Sequence, residues 1–263
     1  MGPLGMSRGF RDRLRAGELL VGTFLKTPSP VVAELLGLSG LDCVVIDGEH
    51  APFDRGSLDG CLMALHGAGV PALVRVPSPD GSHVLPALDG GGVGVVVPHV
   101  RHAEDARAAV RAAHYGPGGR GFAAAPRGAA YGGRSLRQQL SHAAETTTVI
   151  VQIEDLEALD NLPAIMATPG LDGVVVGRMD LTVSLGADSP SDPRVLQAVD
   201  TIVAAARAAS LAAGMFVPLV SELPRWRAQG ITLFLLGSDQ QFVLEGARSL
   251  ARAARSEAQA ADG

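Results

Sequence analysis

The stretch LDCVVIDGEHAPFD, residues 41–54, passes abruptly from an apolar run to a cluster of charged side chains. Its first half has the continuous apolar pattern of a strand that is buried on both faces, as the strands of parallel sheets are. Asp47, Glu49 and His50 follow directly where that strand ends. A buried strand that ends in ionisable groups indicates that its carboxyl end opens into a polar site.

Seven further apolar runs recur along the chain, separated by segments with helical periodicity. With the first, they occupy residues 19–25, 42–47, 71–76, 92–98, 148–154, 171–177, 212–218 and 232–237. Eight strands alternating with helices predict an α/β fold of the (β/α)8 TIM barrel type. A doubly wound sheet would instead favour about five or six strands with a glycine-rich phosphate turn after the first. Here KTPSP follows the run at residues 19–25, and it contains no glycine-rich turn.

The chain is predicted to form one barrel domain over residues 10–255, because no linker composition divides it. Residues 1–9 are predicted to be a leader outside the fold, in which MGPLG resembles an expression-tag remnant, and residues 256–263 a flexible tail. The glycine-rich segment 116–134 is too long for a plain connection, so we expect a functional loop near the site.

Composition excludes several classes of function. The net charge is −5, with one Trp, two Tyr and no basic stripe, which argues against a nucleic-acid partner. No window of about 18 consecutive apolar residues occurs, so no membrane span is predicted. The two cysteines suit small core residues in a reducing compartment, and we expect a cytoplasmic protein.

Further charged residues fall at other predicted strand ends. Arg75 lies at the third, Glu154 at the fifth and Asp180 just beyond the sixth. Because the carboxyl ends of barrel strands converge on one mouth, we expect these side chains to lie together. Two carboxylates without His or Cys favour Mg²⁺ or Mn²⁺ over zinc. The alternative is that each carboxylate caps a helix.

The remaining groups at this mouth suggest acid–base chemistry. His50 can transfer protons near neutral pH, and either Asp47 or Glu49 can orient its ring. Arg75 within an apolar run requires an anion, which is either one of these carboxylates or an oxygen that becomes negative during the reaction. Together these groups predict enolisation of a 2-oxo acid. The other histidines show no ligand spacing and are predicted to be surface or packing residues: His66, His83, His99, His102, His114 and His142.

Six ordered blocks resemble the HpcH/HpaI family of metal-dependent class II pyruvate aldolases, within the phosphoenolpyruvate/pyruvate barrel superfamily. The resemblance spans roughly residues 10–255, and several ordered blocks are more specific than any single motif. The blocks are VVIDGEHAPFD (44–54), LVRVP (73–77), VVVPHV (95–100), GGRGFAAAPRGAAYG (118–132), VQIEDLEALDNLPAI (151–165) and GLDGVVVGRMDLTVSLG (170–186).

The resemblance implies reversible cleavage of a 4-hydroxy-2-oxo acid to pyruvate and an aldehyde through an enolate held at a divalent metal, Mg²⁺ or Mn²⁺ with Co²⁺ as a further candidate. Glu154 and Asp180 would hold the metal, and Gln152 would lie beside it. Arg75 would stabilise the enolate, while His50 with Asp47 would relay protons to the aldol hydroxyl.

The resemblance also implies a substrate pocket and an assembly. Backbone amides from Gly177 to Asp180 would bind the pyruvate carboxylate, and Phe24 and Val220 would form the wall of the aldehyde pocket. The family forms hexamers, dimers of trimers with an exchanged helix, and Asp89 would lie where a neighbouring subunit reaches the site.

The chain departs from the family pattern at Arg178 and Met179, where the family has a proline and a small residue. The added bulk and charge lie beside the carboxylate-binding turn, so Arg178 and Met179 are themselves candidate substrate contacts. The departure keeps two alternatives open on the same barrel. One is a condensing enzyme that resembles citrate synthases or an oxaloacetate-decarboxylating synthase, and the other is a non-catalytic barrel. Lys26, near the mouth, is either a surface lysine or a charge that favours a polyanionic acceptor.

Overall fold

Eight parallel strands close into a barrel in the computed structural model of the chain, which describes residues 9–261. Each strand pairs with the next, and the eighth pairs with the first. The predicted barrel is confirmed, and every predicted strand end lies within two residues of the observed one. The strands are β1 Leu20–Leu25, β2 Cys43–Asp47, β3 Ala72–Arg75, β4 Gly94–Val97, β5 Thr148–Ile153, β6 Gly173–Val176, β7 Ala212–Val217 and β8 Ile231–Ser238.

Helices surround the barrel, as the periodic segments between the strands predict. Ser29 and Ser135 begin two of them by accepting a backbone hydrogen bond, as N-cap residues do. Short 3₁₀ turns occur at Arg127–Gly132 and Val220–Glu222. The α-helices are α1 Phe10–Arg15, α2 Pro30–Gly37, α3 Arg55–Ala68, α4 Gly81–Asp89, α5 Ala103–Ala113, α6 Leu136–Thr146, α7 Leu156–Met166, α8 Arg178–Ser184, α9 Pro193–Ala208, α10 Leu223–Gln229 and α11 Asp239–Ala261.

Alternate residues of each strand point into the barrel or out toward the helices. Leu73 and Ile150 belong to the inner cluster, whereas their neighbours Val74 and Val149 belong to the cluster under the helices. Every second residue after these inner residues also faces inward, as far as the mouth at the carboxyl end of each strand. Six residues at the mouth occupy these inward positions: Lys26, Asp47, Arg75, Gln152, Glu154 and Gly177.

The opposite end of the barrel is closed by α1. Asp172, fully buried, accepts a hydrogen bond from Arg11 Nε at 2.7 Å and another from Arg15 Nε at 2.7 Å. Its other carboxylate oxygen accepts from the backbone N–H of Val149 at 2.8 Å. This network ties α1 to the amino ends of β5 and β6, so a ligand has access to the barrel interior from the mouth.

The glycine-rich segment lies away from the mouth. Gly128 packs against the backbone carbonyls of Leu88 and Asp89, where α4 ends beside the amino end of β4. Arg120 pairs with Asp89 in the same region. Within one chain, the prediction that this segment lies near the site is therefore wrong. The reason is that α5 runs antiparallel to β4 and carries the chain to the far end of the barrel.

The last helix, α11, contacts the barrel near its start, through β1 and β8. Val243 and Leu250 are 71% and 73% exposed. The predicted tail residues 256–261 continue this helix, while residues 262–263 and residues 1–8 of the predicted leader lie outside the described part of the chain. None of the helices within residues 9–261 is long and apolar enough to cross a membrane.

Candidate active site

Arg75 and Asp47 form a buried ion pair at the mouth. Arg75 Nε donates to Asp47 Oδ1 at 3.0 Å, and Nη2 donates to Oδ2 at 2.7 Å. Burial raises the pKa of Asp47, but hydrogen bonds and charge from Arg75 outweigh it, so the pKa lies below its ordinary value. The structure contains the first of the two alternatives for Arg75, an ion pair with a neighbouring carboxylate. Its Nη1 makes no hydrogen bond to residues 9–261.

The second carboxylate of this cluster, Glu49, lies beside the ring of His50. His50 Nε2 is 3.7 Å from Glu49 Oε2, whereas Asp47 accepts a hydrogen bond from the backbone N–H of His50 at 3.1 Å. The 3.7 Å separation is longer than a hydrogen bond. The structure therefore does not bring the Asp47 carboxylate to the His50 imidazole, and Glu49 is the acid nearer to that ring.

Glu154 is buried at the end of β5, with 2% of its surface exposed. Its Oε1 accepts from the backbone N–H of His99 at 2.8 Å, and its Oε2 is in close contact with Gln152 Nε2. Burial and the neighbouring negative charge of Asp180 raise the pKa of Glu154 above its ordinary value, against the opposing hydrogen bonds and the charge of His99. Such a carboxylate is costly to ionise without a cation.

The helix-cap alternatives for the two acids do not hold. The N-cap position of α7 is occupied by Asp155, and that of α8 by Gly177. Asp180 lies in the first turn of α8, largely exposed, and makes no hydrogen bond or ion pair to residues 9–261. Glu154 and Asp180 are therefore both available to a cation at the mouth.

The donor set suits a hard divalent ion. Carboxylate oxygens are the ligands that Mg²⁺ and Mn²⁺ prefer, with water or substrate oxygens completing the coordination. Across residues 9–261, no group of three His, Cys, Asp or Glu side chains forms a complete metal site by itself. Burial and repulsion from Asp180 both raise the pKa of Glu154. A cation between the two carboxylates would offset both effects, so these residues fit a divalent metal ion.

The turn between β6 and α8 carries the two departures from the family pattern. Arg178 Nη1 donates to Glu222 Oε2 at 2.9 Å, and its guanidinium lies 5.4 Å from the centre of the Trp226 ring. Trp226 Nε1 donates to the same carboxylate at 3.1 Å. The charge of Arg178 is thus paired with Glu222 beside α10, while Met179 is 57% exposed and lines the cavity.

A cavity of about 330 Å³ occupies the mouth. Its apolar wall includes Phe24, Phe216 and Met179, and its charged residues include Arg75 and Asp180. The volume is at the lower end of the range for small-molecule sites. Val220, the other predicted wall residue, is 68% exposed in a 3₁₀ turn and does not line this cavity.

His99 is a residue of this mouth that the sequence reasoning missed. It follows β4 with a φ of 53°, and its ring lies 3.1 Å from Asp155, 3.4 Å from Glu154 and 3.6 Å from Glu49. Burial lowers its pKa, but these three acids outweigh it and raise the pKa. The sequence feature that pointed to His50 also applies to His99, because both are ionisable residues just beyond a buried strand. His99 was set aside because the histidines show no metal-ligand spacing along the sequence.

Together, the barrel, the acidic pair at β5 and β6 and the arginine at β3 define a class of (β/α)8-barrel enzymes with a polar mouth for a small anionic substrate. The model of the HpcH/HpaI aldolase/citrate lyase family matches residues 20–245, and the chain belongs to this family. The resemblance stated from the sequence is confirmed.

Known relatives agree with this assignment. The 5-keto-4-deoxy-D-glucarate aldolase of Salmonella paratyphi C is 36% identical over 232 residues, which cover 88% of this chain and 90% of that protein. An HpcH/HpaI aldolase/citrate lyase family protein from Burkholderia cenocepacia J2315 superposes with a TM-score of 0.86 at 34% identity, covering 93% of this chain and 98% of that one. The citrate synthase SbnG superposes with a TM-score of 0.84 at 29% identity, with 97% and 99% covered. The chain is thus an enzyme, a carbon–carbon lyase of the aldolase type.

Proposed function

We propose that the enzyme cleaves a 4-hydroxy-2-oxo acid reversibly to pyruvate and an aldehyde, with Mg²⁺ or Mn²⁺ as its cofactor and Co²⁺ as a further candidate. The observation that carries the proposal is the pair of carboxylates at the mouth. Glu154 is buried with a raised pKa, and Asp180 beside it has no partner among residues 9–261. Asp180 lines one cavity with Arg75 and with Gln152, whose side-chain amide contacts Glu154.

Glu154 and Asp180 would hold the cation, and Gln152 would fix the orientation of the Glu154 carboxylate through their contact. When bound, a divalent cation polarises the carbonyl of a 2-oxo acid and thereby eases formation of an enolate. Of the four amides predicted to bind the carboxylate, that of Gly177 donates instead to the carbonyl of Ile153 at 3.0 Å. The amides of Arg178, Met179 and Asp180 make no backbone hydrogen bond to residues 9–261. They begin α8 and are available to the substrate carboxylate.

Arg75 supplies positive charge to the oxygen that becomes negative in the reaction. Its bidentate pairing with Asp47 holds the guanidinium in one orientation, and its stacking 4.8 Å from the centre of the Phe24 ring restrains it further. A fixed charge of this kind needs no reorganisation during the reaction. Asp47 therefore acts by positioning Arg75 and the backbone of His50.

His50 transfers the proton of the aldol hydroxyl through water. Its side chain is 55% exposed at the mouth, and Glu49 Oε2 lies 3.7 Å from its Nε2. The Glu49 carboxylate would stabilise the charged imidazole when it takes the proton. Phe24 and Met179 would contact the aldehyde, since both line the cavity. Val220 remains a predicted wall residue, and it would reach the cavity only if its 3₁₀ turn moved.

The first substrate to test is 5-keto-4-deoxy-D-glucarate, because relatives at 36% identity bear that name. Its aldol cleavage yields pyruvate and a three-carbon aldehyde acid. Pyruvate release is measured with lactate dehydrogenase and NADH, with Mn²⁺, Mg²⁺ or Co²⁺ or after chelation. Cleavage that requires the metal supports the proposal, and its absence with every metal contradicts this substrate.

A second assay removes the dependence on the aldehyde. Decarboxylation of oxaloacetate passes through the same pyruvate enolate, so wild-type protein should release CO₂ in the presence of Mn²⁺, whereas Asp180→Ala should not. If neither cleavage nor decarboxylation occurs in folded protein, the enolate proposal is refuted. Release of free CoA from acetyl-CoA and oxaloacetate would instead identify a condensing enzyme, an activity that the similarity to the citrate synthase SbnG makes worth measuring.

We also propose that the chain assembles as a hexamer, a dimer of trimers, in which α11 packs on a neighbouring subunit. Val243 and Leu250 on α11 are more than two-thirds exposed, and so is Leu38 next to α2. Burying such surface stabilises an assembly by about 25 cal/mol per Å². Light scattering should give six subunits, and Leu250→Glu should lower that number. A monomeric wild-type protein would exclude the packing of α11 on a neighbouring subunit.

The two cysteines are free and buried, which accords with the proposed cytoplasmic location.

A further inference from the structure

Lys26 is the single lysine of the sequence, against 21 arginines, and it lies at the mouth of the barrel. It follows β1 directly and continues the inward-facing row of Leu20, Gly22 and Phe24. Its backbone is held in place, because the N–H groups of Lys26 and Thr27 donate to the buried Asp239 carboxylate at 2.6 Å and 3.1 Å. The position of Lys26 in the cavity is therefore set by the fold.

The charge of Lys26 is only partly balanced by the protein. Its Nζ lies 3.3 Å from Asp47 Oδ2, and this is its one ion pair within residues 9–261. The same carboxylate already accepts two hydrogen bonds from Arg75, the shorter at 2.7 Å. Two cations thus share Asp47. An ammonium group has three N–H donors, and Lys26 is 30% exposed at the cavity, so donors remain for a ligand.

Lys26 follows the strand opposite the one that carries Glu154, and its ammonium group lies beside the Asp47–Arg75 pair. In a closed barrel of eight strands in sequential order, β1 is opposite β5, the strand that carries Glu154. The cavity that Met179 and Asp180 line also extends to Phe24, Phe216 and Lys26, so a substrate whose 2-oxo acid end is bound at α8 has room to extend its other end toward β1. That other end is the part that leaves as the aldehyde.

We propose that Lys26 binds a carboxylate on the aldehyde part of the substrate and so selects acidic aldehydes, an assignment that rests on the aldolase function proposed above. A carboxylate bound there takes the N–H donors that Asp47 leaves unused. In this role Lys26, paired with Asp47, acts as a cation and not as an imine-forming amine.

The test uses the condensation direction, with pyruvate, saturating Mn²⁺ and pairs of aldehydes that have the same number of carbon atoms. Succinic semialdehyde is compared with butanal, and glyceraldehyde 3-phosphate with glyceraldehyde, so that a carboxylate and a phosphate are examined separately. Wild type should favour succinic semialdehyde over butanal by about ten- to a hundredfold in kcat/KM, the range that one hydrogen bond to a charged group supplies. Increasing salt should lower this ratio.

The decisive variant is Lys26→Met, with Lys26→Arg as the matched control. Asp47 keeps both hydrogen bonds from Arg75 in Lys26→Met, so no buried carboxylate is left unpaired. The preference for succinic semialdehyde should fall to within about threefold of unity in Lys26→Met and persist in Lys26→Arg. An unchanged preference in Lys26→Met overturns the assignment, and so does a larger effect on the phosphate pair than on the carboxylate pair.

Two further outcomes separate this inference from the proposed function. If wild type decarboxylates oxaloacetate and condenses both aldehydes with equal kcat/KM, the assignment of Lys26 fails while the enolate chemistry stands. If wild type does neither reaction, both fail. Borohydride with pyruvate should leave Lys26 unmodified, and a trapped adduct on this single lysine would overturn its role as a cation.

Discussion

Substituting Gly177 by alanine tests the geometry of the acidic pair. A Cβ at this position would lie 2.5 Å from Glu154 Oε2, 2.6 Å from Glu154 Cβ and 3.3 Å from Gln152 Nε2. The φ of Gly177 is −82°, so the added methyl strains contacts and not the backbone. Normal contact needs about 3.5 Å, and the Glu154 side chain must therefore move by about 1 Å.

The expected loss follows from that displacement. Overpacking of this kind costs about 1–3 kcal/mol of stability. Metal ligands tolerate deviations of only about 0.2 Å, and perturbing their support lowers metal affinity by about ten- to a hundredfold. We expect Gly177→Ala to fold, to bind Mn²⁺ more weakly by that factor and to lose decarboxylation of oxaloacetate at limiting metal.

The matched control is Gly67→Ala in α3, where an added Cβ would meet nothing within 4 Å. That change should raise the free energy of unfolding by about 0.4–1 kcal/mol and leave Mn²⁺ binding unchanged. Calorimetric titration with Mn²⁺ and urea unfolding measure both quantities. If Gly177→Ala bound Mn²⁺ as tightly as Gly67→Ala, Glu154 would not be a metal ligand at this position, and the steric reasoning would be refuted.

Three further substitutions address the barrel floor, the pH response and the turn at α8. Asp172→Asn breaks a buried charge network and should cost about 3–5 kcal/mol in urea unfolding, and a loss below about 1 kcal/mol would contradict its role. Because the folded pKa of Glu154 is raised above 4.5, its contribution to the stability of metal-free protein is largest below 4.5 and is lost as pH rises through the folded value. Mn²⁺ affinity should correspondingly weaken as pH falls through that value, and Glu154→Gln should raise the melting temperature of metal-free protein and flatten its pH dependence. Glu222→Gln weakens the partly exposed pair with Arg178, and should raise KM for oxaloacetate by about two- to fivefold with kcat nearly constant, since such pairs contribute little. A change confined to kcat would show that the pair does not position the turn.

The strand ends were predictable because a local property determines them. Runs such as 42–47 and 148–154 are apolar throughout, since strands of this barrel are covered on both faces, and the charged residue that follows marks the mouth. The same rule would have included His99, which follows β4 and lies 3.4 Å from Glu154. Ligand spacing along the sequence was the wrong criterion there, because a barrel brings together residues from different strands.

The partner of each charged side chain was not predictable in this way. Sequence allowed Asp47 or Glu49 to face His50, and Arg75 to face either acid, because all of them lie at adjacent strand ends. The inward position of Asp47 places it against Arg75, while Glu49 Oε2 lies 3.3 Å from Arg75 Nε and 3.7 Å from His50 Nε2. Arg178 likewise pairs with a residue 44 positions away, Glu222, which no local pattern indicates.

The sequence by itself determined the eight-stranded barrel and the end at which its charge collects, because hydrophobic periodicity is a property of neighbouring residues. The resemblance of six ordered motif blocks indicated the family to which the chain belongs. Only the tertiary structure decided which acid pairs with which base, that the glycine-rich segment lies at the far end, and that Lys26 shares the Asp47 carboxylate with Arg75. These depend on side-chain direction and on closure of the barrel, which brings β1 beside β8 and opposite β5.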